Sequence, residues 1–242
     1  GLLIAPIAYI GTILDREDVM QAQFCQVLRR TKNAMMTANT LRTTIFIFLV
    51  CLTPSCGVAI GYFLRNKLHY SAVQFGTIDL AGHASHMSGA FIFKVCLKDA
   101  LFRDIFKGCI LIIVVLRLAQ LVIVNGVSSS ILFACFDEAA MAVAGQIATM
   151  PVLIMAARNC PFGLEASVYA SVLAISNLGS VLSTEWGAGM TMWFGITRNN
   201  FDNLAILVVT CALLGALPLL ALHLVPEHMT ARSSTTEAAC DE

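Results

Sequence analysis

The sequence predicts an all-α polytopic membrane protein, and three observations support this fold class. Apolar residues make up 58% of the chain and charged residues only 12%, which is about half the charged fraction of soluble domains. Apolar runs of about 20 residues, the length that crosses a bilayer as a helix, recur along the chain. Short polar segments separate these runs and carry most of the Lys and Arg residues. The lipid bilayer is therefore the predicted solvent of most of the chain.

The composition also limits the classes of partner and the kinds of chemistry that the sequence predicts. The formal net charge is zero, so no nucleic-acid partner is predicted. Nine cysteines are present without a CxxC pair, and most fall in or beside apolar runs, where free thiols behave as small apolar residues. The sequence holds no nucleophile–base constellation and no metal motif such as HExxH. Neither an enzyme nor a cofactor is therefore predicted.

The two ends of the chain differ from its middle. Gly1–Leu14 is apolar from the first residue, without an initiating methionine or the basic region of a signal peptide. Because a span needs about 20 residues, we expect a partial transmembrane helix there, in a chain that is a C-terminal fragment. Asp15–Arg42 is polar and basic and is predicted to be a connecting loop with a surface helix near Gln21–Arg30. Pro226–Glu242 is rich in Ser, Thr and Ala and is predicted to be a disordered tail.

Between these ends the sequence predicts six complete transmembrane helices, which form a bundle over residues 43–225. The predicted spans are Thr43–Leu64, Gln74–Leu97, Gly108–Val124, Ile131–Ala157, a span from Leu164 onward, and Asn203–Val225. Pro54 is expected to kink the first span, because proline lacks an amide donor. Gly57 and Gly61, one turn apart in the same span, offer a face for close helix packing.

The Lys and Arg residues fall unevenly on the two sides of these spans. Eleven lie on the side of the Asp15–Arg42 connector, three lie on the side of the Asn125–Ser130 loop, and Arg117 lies within a span. The positive-inside rule places the richer side in the cytoplasm. The connector and the C-terminus are therefore predicted to be cytoplasmic, and the Asn125–Ser130 loop is predicted to be external.

The most distinctive stretch is Ala148–Ser183, in which two apolar runs flank the short connector Arg158–Glu165. Pro161 and Gly163 end the first run, and Glu165 begins the next one, where a negative charge suits the helix dipole. This connector is expected to hold the geometry of two consecutive helices. The residues predicted to carry this structural role are Pro151, Arg158, Cys160, Pro161, Gly163 and Glu165.

Several motifs of this chain are similar to those of the folate–biopterin transporter family, a branch of the major facilitator superfamily. The motifs are Met150-Pro151, Ala156-Ala157-Arg158, Cys160-Pro161 with Gly163 and Glu165, Ser176-Asn177 with Gly179, Thr53-Pro54-Ser55, Phe136-Asp137-Glu138, and Phe201-Asp202-Asn203-Leu204. The resemblance implies the C-terminal half of a twelve-helix transporter, with the N-terminal half of the same protein as its missing partner. It also implies proton-coupled transport of folate, biopterin or a related small metabolite by alternating access. The alternative from another class is a non-transporting six-span scaffold or assembly subunit.

Arg117, Asp137 and Glu138 are charged residues inside predicted spans, where a charge costs about 2.5–3.5 kcal/mol unless it faces a cavity or a partner. Asp137 and Glu138 are candidates for proton coupling or for binding the N–H edge of a pterin, and the alternative is a structural ion pair between helices. Arg117 is a candidate for binding a substrate carboxylate or a protein carboxylate. Arg117 and Asp137 each lie about 10 residues from the centre of the external loop, so they are predicted to pair at a similar depth.

Three polar residues share one face of the second predicted span. Asp79, His83 and His86 stand at i, i+4 and i+7, a spacing that places them on one side of a helix. They are predicted either to line a polar cavity or to form hydrogen bonds between helices. No metal is predicted, because the two histidines lack the usual i, i+4 spacing. Asn177, a polar residue deep in the fifth span, is a further candidate to line the pathway.

Overall fold

The computed structural model describes residues 26–158, 163–225 and 230. Every regular element in this part of the chain is helical, as the sequence predicts. The helices are α1 (Gln26–Met35), α2 (Ala38–Cys51), α3 (Gly57–Asn66), α4 (Ala72–Ile92), α5 (Phe102–Ala119), α6 (Leu121–Val124), α7 (Ile131–Arg158), α8 (Glu165–Trp193) and α9 (Leu204–Gly215). A π-helical turn (Phe93–Leu97) follows α4, and a 3-10 helix (Leu217–Leu224) follows α9. The predicted partial helix Gly1–Leu14 and, apart from Thr230, the predicted tail lie outside the described residues.

Four helical segments are long and apolar enough to cross a membrane. They are Phe102–Val124, Ile131–Arg158, Glu165–Trp193 and Leu204–Leu224. Helices α1 and α2 meet the same criterion together, but they are bent by 78° relative to each other. The chain is therefore an integral membrane protein of several apolar helices. The prediction of six complete spans is not confirmed, and the first two predicted spans account for the difference.

The first predicted span, Thr43–Leu64, is broken rather than kinked. Helix α2 ends at Cys51 and α3 begins at Gly57. Pro54 has no amide hydrogen with which to continue the helix. Two local contacts close the end of α2, since the amide of Leu52 donates to the carbonyl of Phe48 at 2.8 Å and the Thr53 hydroxyl donates to the carbonyl of Val50 at 3.1 Å. Neither helix is long enough to cross a bilayer alone.

The second predicted span is a continuous helix with unusual polarity. Helix α4 begins with a capping box, in which Ser71 accepts from the amide of Gln74 and the Gln74 side chain accepts from the amide of Ser71. It runs for 21 residues to Ile92, yet it is not among the four apolar segments. The reason lies in its content of Asp, His, Ser, Gln and Gly. A helix of this composition needs a polar cavity or other helices around it to lie inside a membrane.

The helices pack around two apolar cores, one on each side of the α2–α3 break. The first core contains Phe46, Phe106 and Met155, and the rings of Phe46 and Phe106 meet edge to face with their centroids 4.9 Å apart. The second contains Phe63 and Leu207, together with the partly buried Phe201 ring. Helix α4 packs along α7, while α2 packs on α8 and α5 packs on both α7 and α9. The break between α2 and α3 therefore lies between the two apolar cores.

The cysteines form no disulfide among the described residues. Cys56, Cys109 and Cys211 are buried, Cys51 and Cys135 are half-buried, and Cys96 is exposed. The buried thiols pack among apolar side chains of the two cores, which is the environment expected from the sequence.

Candidate functional site

Two helices, α4 and α7, together present a row of polar side chains, which we call the polar strip. It consists of Asp79, His83 and His86 on α4 with Glu138 and Gln146 on α7. The three α4 side chains and Glu138 are exposed, and Gln146 is half-buried. His86 Nδ1 lies 3.3 Å from Gln146 Oε1, within hydrogen-bonding distance. The rings of His83 and His86 have centroids 6.5 Å apart. The shared face predicted for the α4 residues is therefore joined to α7.

Glu138 has charged neighbours on both helices of the strip. Its carboxylate interacts with the charges of Asp79 and Asp137 and with those of His83 and His86 when these are protonated. The strip therefore places two imidazole rings beside carboxylates, a set of groups that can donate and accept hydrogen bonds and suits the binding of N–H donors.

Asp137 precedes Glu138 on α7 and is buried, with 7% of its surface exposed. Its Oδ2 accepts a hydrogen bond from Gln120 Nε2 of the α5–α6 junction at 2.9 Å. Asp137 Oδ1 and Gln120 Oε1 are buried without a hydrogen-bond partner among the described residues. Adjacent helical residues point about 100° apart, which explains how one of the two neighbouring carboxylates is buried and the other is exposed.

The predicted ion pair between Arg117 and Asp137 is not formed. Arg117 Nη1 instead donates to the carbonyl oxygen of Pro54 at 3.3 Å and lies 3.9 Å from the sulfur of Cys56. The two residues lie on neighbouring helices, but Arg117 points towards the α2–α3 break, where a carbonyl has lost its helical donor. Sequence reasoning missed Gln120, which stands one turn after Arg117 on the same apolar helix.

The remaining site candidates lie elsewhere. Asn177 is exposed on α8, and no hydrogen bond joins it to the polar strip within the described residues. Pro151 is buried inside α7. Gly163 has a φ of +79°, a conformation that glycine adopts without strain. Its amide donates to Glu165 Oε1 at 2.8 Å, so Glu165 stabilises the turn before α8.

Arg158 ties the end of α7 to two other segments. Its Nη2 donates to the carbonyl of Thr230 at 2.7 Å, and its guanidinium carbon lies 5.9 Å from the centre of the Phe102 ring. Cys160 and Pro161 lie outside the described residues. The structural role predicted for this connector stays a prediction, although the contacts of Arg158, Gly163 and Glu165 are of the kind that such a role requires.

The described residues hold no group of three or more His, Cys, Asp or Glu side chains arranged to bind a metal ion. Although α4 contributes two histidines and a carboxylate to the polar strip, they do not converge on one point. The chemistry open to this strip is therefore hydrogen bonding, ion pairing and proton exchange.

Comparisons with known proteins identify several relatives of this chain. The chain is 36% identical over 222 residues to a folate-biopterin transporter of Synechocystis, covering 90% of this chain and 45% of that protein. It is 28% identical over 202 residues to a probable folate-biopterin transporter of Arabidopsis thaliana, covering 81% of this chain and 41% of that one. It is 26% identical over 189 residues to a folate transporter of Plasmodium falciparum, covering 76% and 37%.

The chain thus spans less than half the length of these relatives, and it corresponds to their C-terminal part. No solved structure matches it. The relatives are named as transporters and not as enzymes, in agreement with the absence of catalytic motifs from the sequence. The model of the BT1 family matches residues 18–240, so the chain belongs to the BT1 family.

Proposed function

We propose that this chain is the C-terminal half of a secondary transporter that carries folates or pterins, as the resemblance to the major facilitator superfamily implies. In this proposal the broken α2–α3 pair and α4 join the four apolar segments as six spans. The observation that carries the proposal is the polar strip, because an apolar chain keeps ionisable side chains within its helices only where they face a cavity or a partner. The N-terminal half of the same protein would form the other wall of that cavity.

Two carboxylates suit two different tasks. Glu138 is exposed on the strip and has the chemistry to accept hydrogen bonds from the N–H edge of a pterin ring. Asp137 is buried and bound to the neutral Gln120 side chain. Because its partner is neutral, Asp137 can bind or release a proton without breaking an ion pair, so it is the better candidate for proton coupling. Asp79, His83, His86 and Asn177 remain candidates to line the substrate pathway.

The α2–α3 break suits alternating access. Transporters of this kind place interrupted helices beside the substrate site, where non-helical backbone is tolerated because protein surrounds it. Here the carbonyl of Pro54 accepts from Arg117 on α5, and the carbonyl of Thr53 accepts from the Ser183 hydroxyl on α8. Side chains of two neighbouring helices thus satisfy the backbone of this break, as an interruption beside a substrate site requires.

The test uses the full-length transporter in proteoliposomes, with uptake of a folate and of a pterin measured with and without an imposed proton gradient. Glu138→Gln keeps the shape of the side chain but removes its charge. A hydrogen bond to a charged group contributes about 1.5–3 kcal/mol, so the half-saturating substrate concentration should rise about tenfold or more. Asp137→Asn should remove the stimulation by the gradient and leave substrate affinity nearly unchanged. Asp202→Asn, in the exposed loop before α9, is the matched control and should behave like the parent protein.

Two outcomes would contradict this function. If the full-length protein takes up neither class of compound, the non-transporting scaffold becomes the better interpretation. If uptake occurs but the Glu138 and Asp137 variants match the control, the substrate and proton sites lie on other residues.

A further inference from the structure

The glycines of α4 differ in what lies beside them. At Gly82, the three atoms nearest to an added Cβ would all belong to the Glu138 side chain, with Cγ at 3.1 Å and Oε1 at 3.3 Å. At Gly89, an added Cβ would lie 2.9 Å from the backbone carbonyl oxygen of Val143. At Gly76 it would meet nothing within 4 Å. Only at Gly82 is the nearest neighbour a flexible charged side chain.

The contacts of Gly82 and Gly89 show the relative direction of α4 and α7. Gly82 lies against Glu138, and Gly89, two turns later, lies against Val143 and Gln146. Residue numbers increase together along both helices, so α4 and α7 run in the same direction. Gly82 and Gly89 thus both face α7. The Glu138 side chain crosses the surface of α4 at the one position of that turn where no Cβ is in its way.

The crossing point lies within the row of titratable residues on α4. Asp79 and His86 stand three residues before and four residues after Gly82, so all three share one face of the helix. A carboxylate that crosses at Gly82 therefore lies between them, in agreement with its electrostatic interactions with Asp79, His83 and His86. The fourth charged neighbour of Glu138 is Asp137, on its own helix.

We propose that Gly82 is a positioning residue for the polar strip: its missing side chain lets Glu138 cross α4 and hold its carboxylate among Asp79, His83 and His86. An alanine at this position would push Glu138 away from that row by a few tenths of an ångström or into another rotamer. The geometric part of this inference stands alone, whereas its consequence for transport rests on the proposed function.

The geometric part is tested by infrared spectroscopy on the purified full-length protein. The carboxyl band that Glu138→Gln removes is followed as a function of pH in the parent protein, in Gly82→Ala and in Gly76→Ala. Nearby charges set the titration midpoint of a carboxyl group, so we expect Gly82→Ala to move the midpoint by about 0.5 pH units or more. Gly76→Ala should leave it unchanged. An unchanged midpoint in Gly82→Ala would overturn the inference.

The functional part is tested by a double-mutant cycle on uptake. We expect Gly82→Ala to raise the half-saturating substrate concentration at least threefold, and to have no further effect in a Glu138→Ala background, where no side chain remains to be displaced. An effect of equal size in both backgrounds would contradict positioning through Glu138. A moved midpoint with unchanged uptake would support the positioning of Glu138 and contradict only its place in the proposed substrate site.

Loss of folded protein would also be informative. If Gly82→Ala does not accumulate in the membrane, the crowded side chain can be removed by adding Glu138→Ala. Recovery of the folded protein in that double variant would show that the conflict is with Glu138, as proposed. Failure to recover would mean that the added methyl group conflicts with the helix packing itself, and the inference would be wrong.

Discussion

At the scale of single residues, Arg117 on α5 and Asp137 on α7 do not pair with each other, although their charges are opposite. Asp137 binds Gln120, and Arg117 binds the carbonyl of Pro54. A buried donor or acceptor that loses its partner costs roughly 1–3 kcal/mol. Each of these two contacts therefore stabilises the fold separately, and neither depends on an ion pair between α5 and α7.

This pairing predicts which double-mutant cycle shows coupling. Gln120→Ala and Asp137→Ala should interact by about 1–2 kcal/mol, because each removes the same hydrogen bond. Arg117→Ala and Asp137→Ala should add within about 0.5 kcal/mol, since they remove different bonds. The measurement is the free energy of unfolding of the full-length protein in mixed detergent micelles. Coupling in the arginine cycle and additivity in the glutamine cycle would restore the ion pair that the sequence suggests.

At the scale of elements, α8 holds the break between α2 and α3 in place. An added Cβ at Gly187 would overlap the carbonyl oxygen of Ser55, and one at Gly179 would lie 2.9 Å from Cβ of Cys51. Between them, the amide of Ser55 donates to the carbonyl of Ser183 at 3.4 Å. The small residues of α8 therefore allow its backbone to approach the non-helical segment directly, a use of small residues that is common in membrane helices.

Alanine substitutions at two glycines of α8 should have opposite effects. Gly187→Ala inserts a methyl group into the backbone of Ser55, and we expect a loss of about 2–3 kcal/mol, as for other overpacked sites. Gly189→Ala meets nothing within 4 Å and should stabilise the helix by about 0.5–1 kcal/mol, because alanine has the higher helix propensity. Unfolding in detergent and the yield of monodisperse protein measure both. Equal stabilities would show that α8 does not pack against the break as closely as described.

At the scale of the whole molecule, the helices pack around two apolar cores with the α2–α3 break between them. Side chains also join the loops at the end that the distribution of Lys and Arg predicts to be external. The hydroxyl of Tyr70 donates to the carbonyl of Ser129 at 2.9 Å, and Asn66 Nδ2 donates to the carbonyl of Arg198 at 3.1 Å. These contacts connect the α3–α4, α6–α7 and α8–α9 loops on one face of the bundle.

The orientation of the molecule in the membrane is tested by accessibility. The distribution of Lys and Arg predicts that a tag after Glu242 is protected from protease in intact cells, whereas a tag between Gly126 and Val127 is cleaved. Both residues of the second position are exposed, and neither takes part in the contact between Tyr70 and Ser129. Permeabilised cells, in which both tags should be cleaved, are the control. The reverse pattern in intact cells would overturn the predicted orientation.

The sequence alone determined the class of molecule and the family resemblance. An apolar chain with few charges has no soluble fold open to it, and helices are the way for such a chain to satisfy its backbone in lipid. The spacing of Asp79, His83 and His86 predicted their shared face, because a helix has a fixed period. The motifs around Pro151 and Glu165 indicated the family that the comparisons then showed.

The tertiary structure decided the partners and the completeness of the spans. Depth along two helices is set by sequence distance, but the direction in which each side chain points depends on how the helices are rotated against their neighbours. Arg117 and Asp137 are therefore at similar depth along the chain and yet bind different groups. The break at Pro54 depends on donors from α5 and α8 that are distant in sequence. The place of Glu138 against Gly82 likewise arises only when α4 and α7 pack side by side in the same direction.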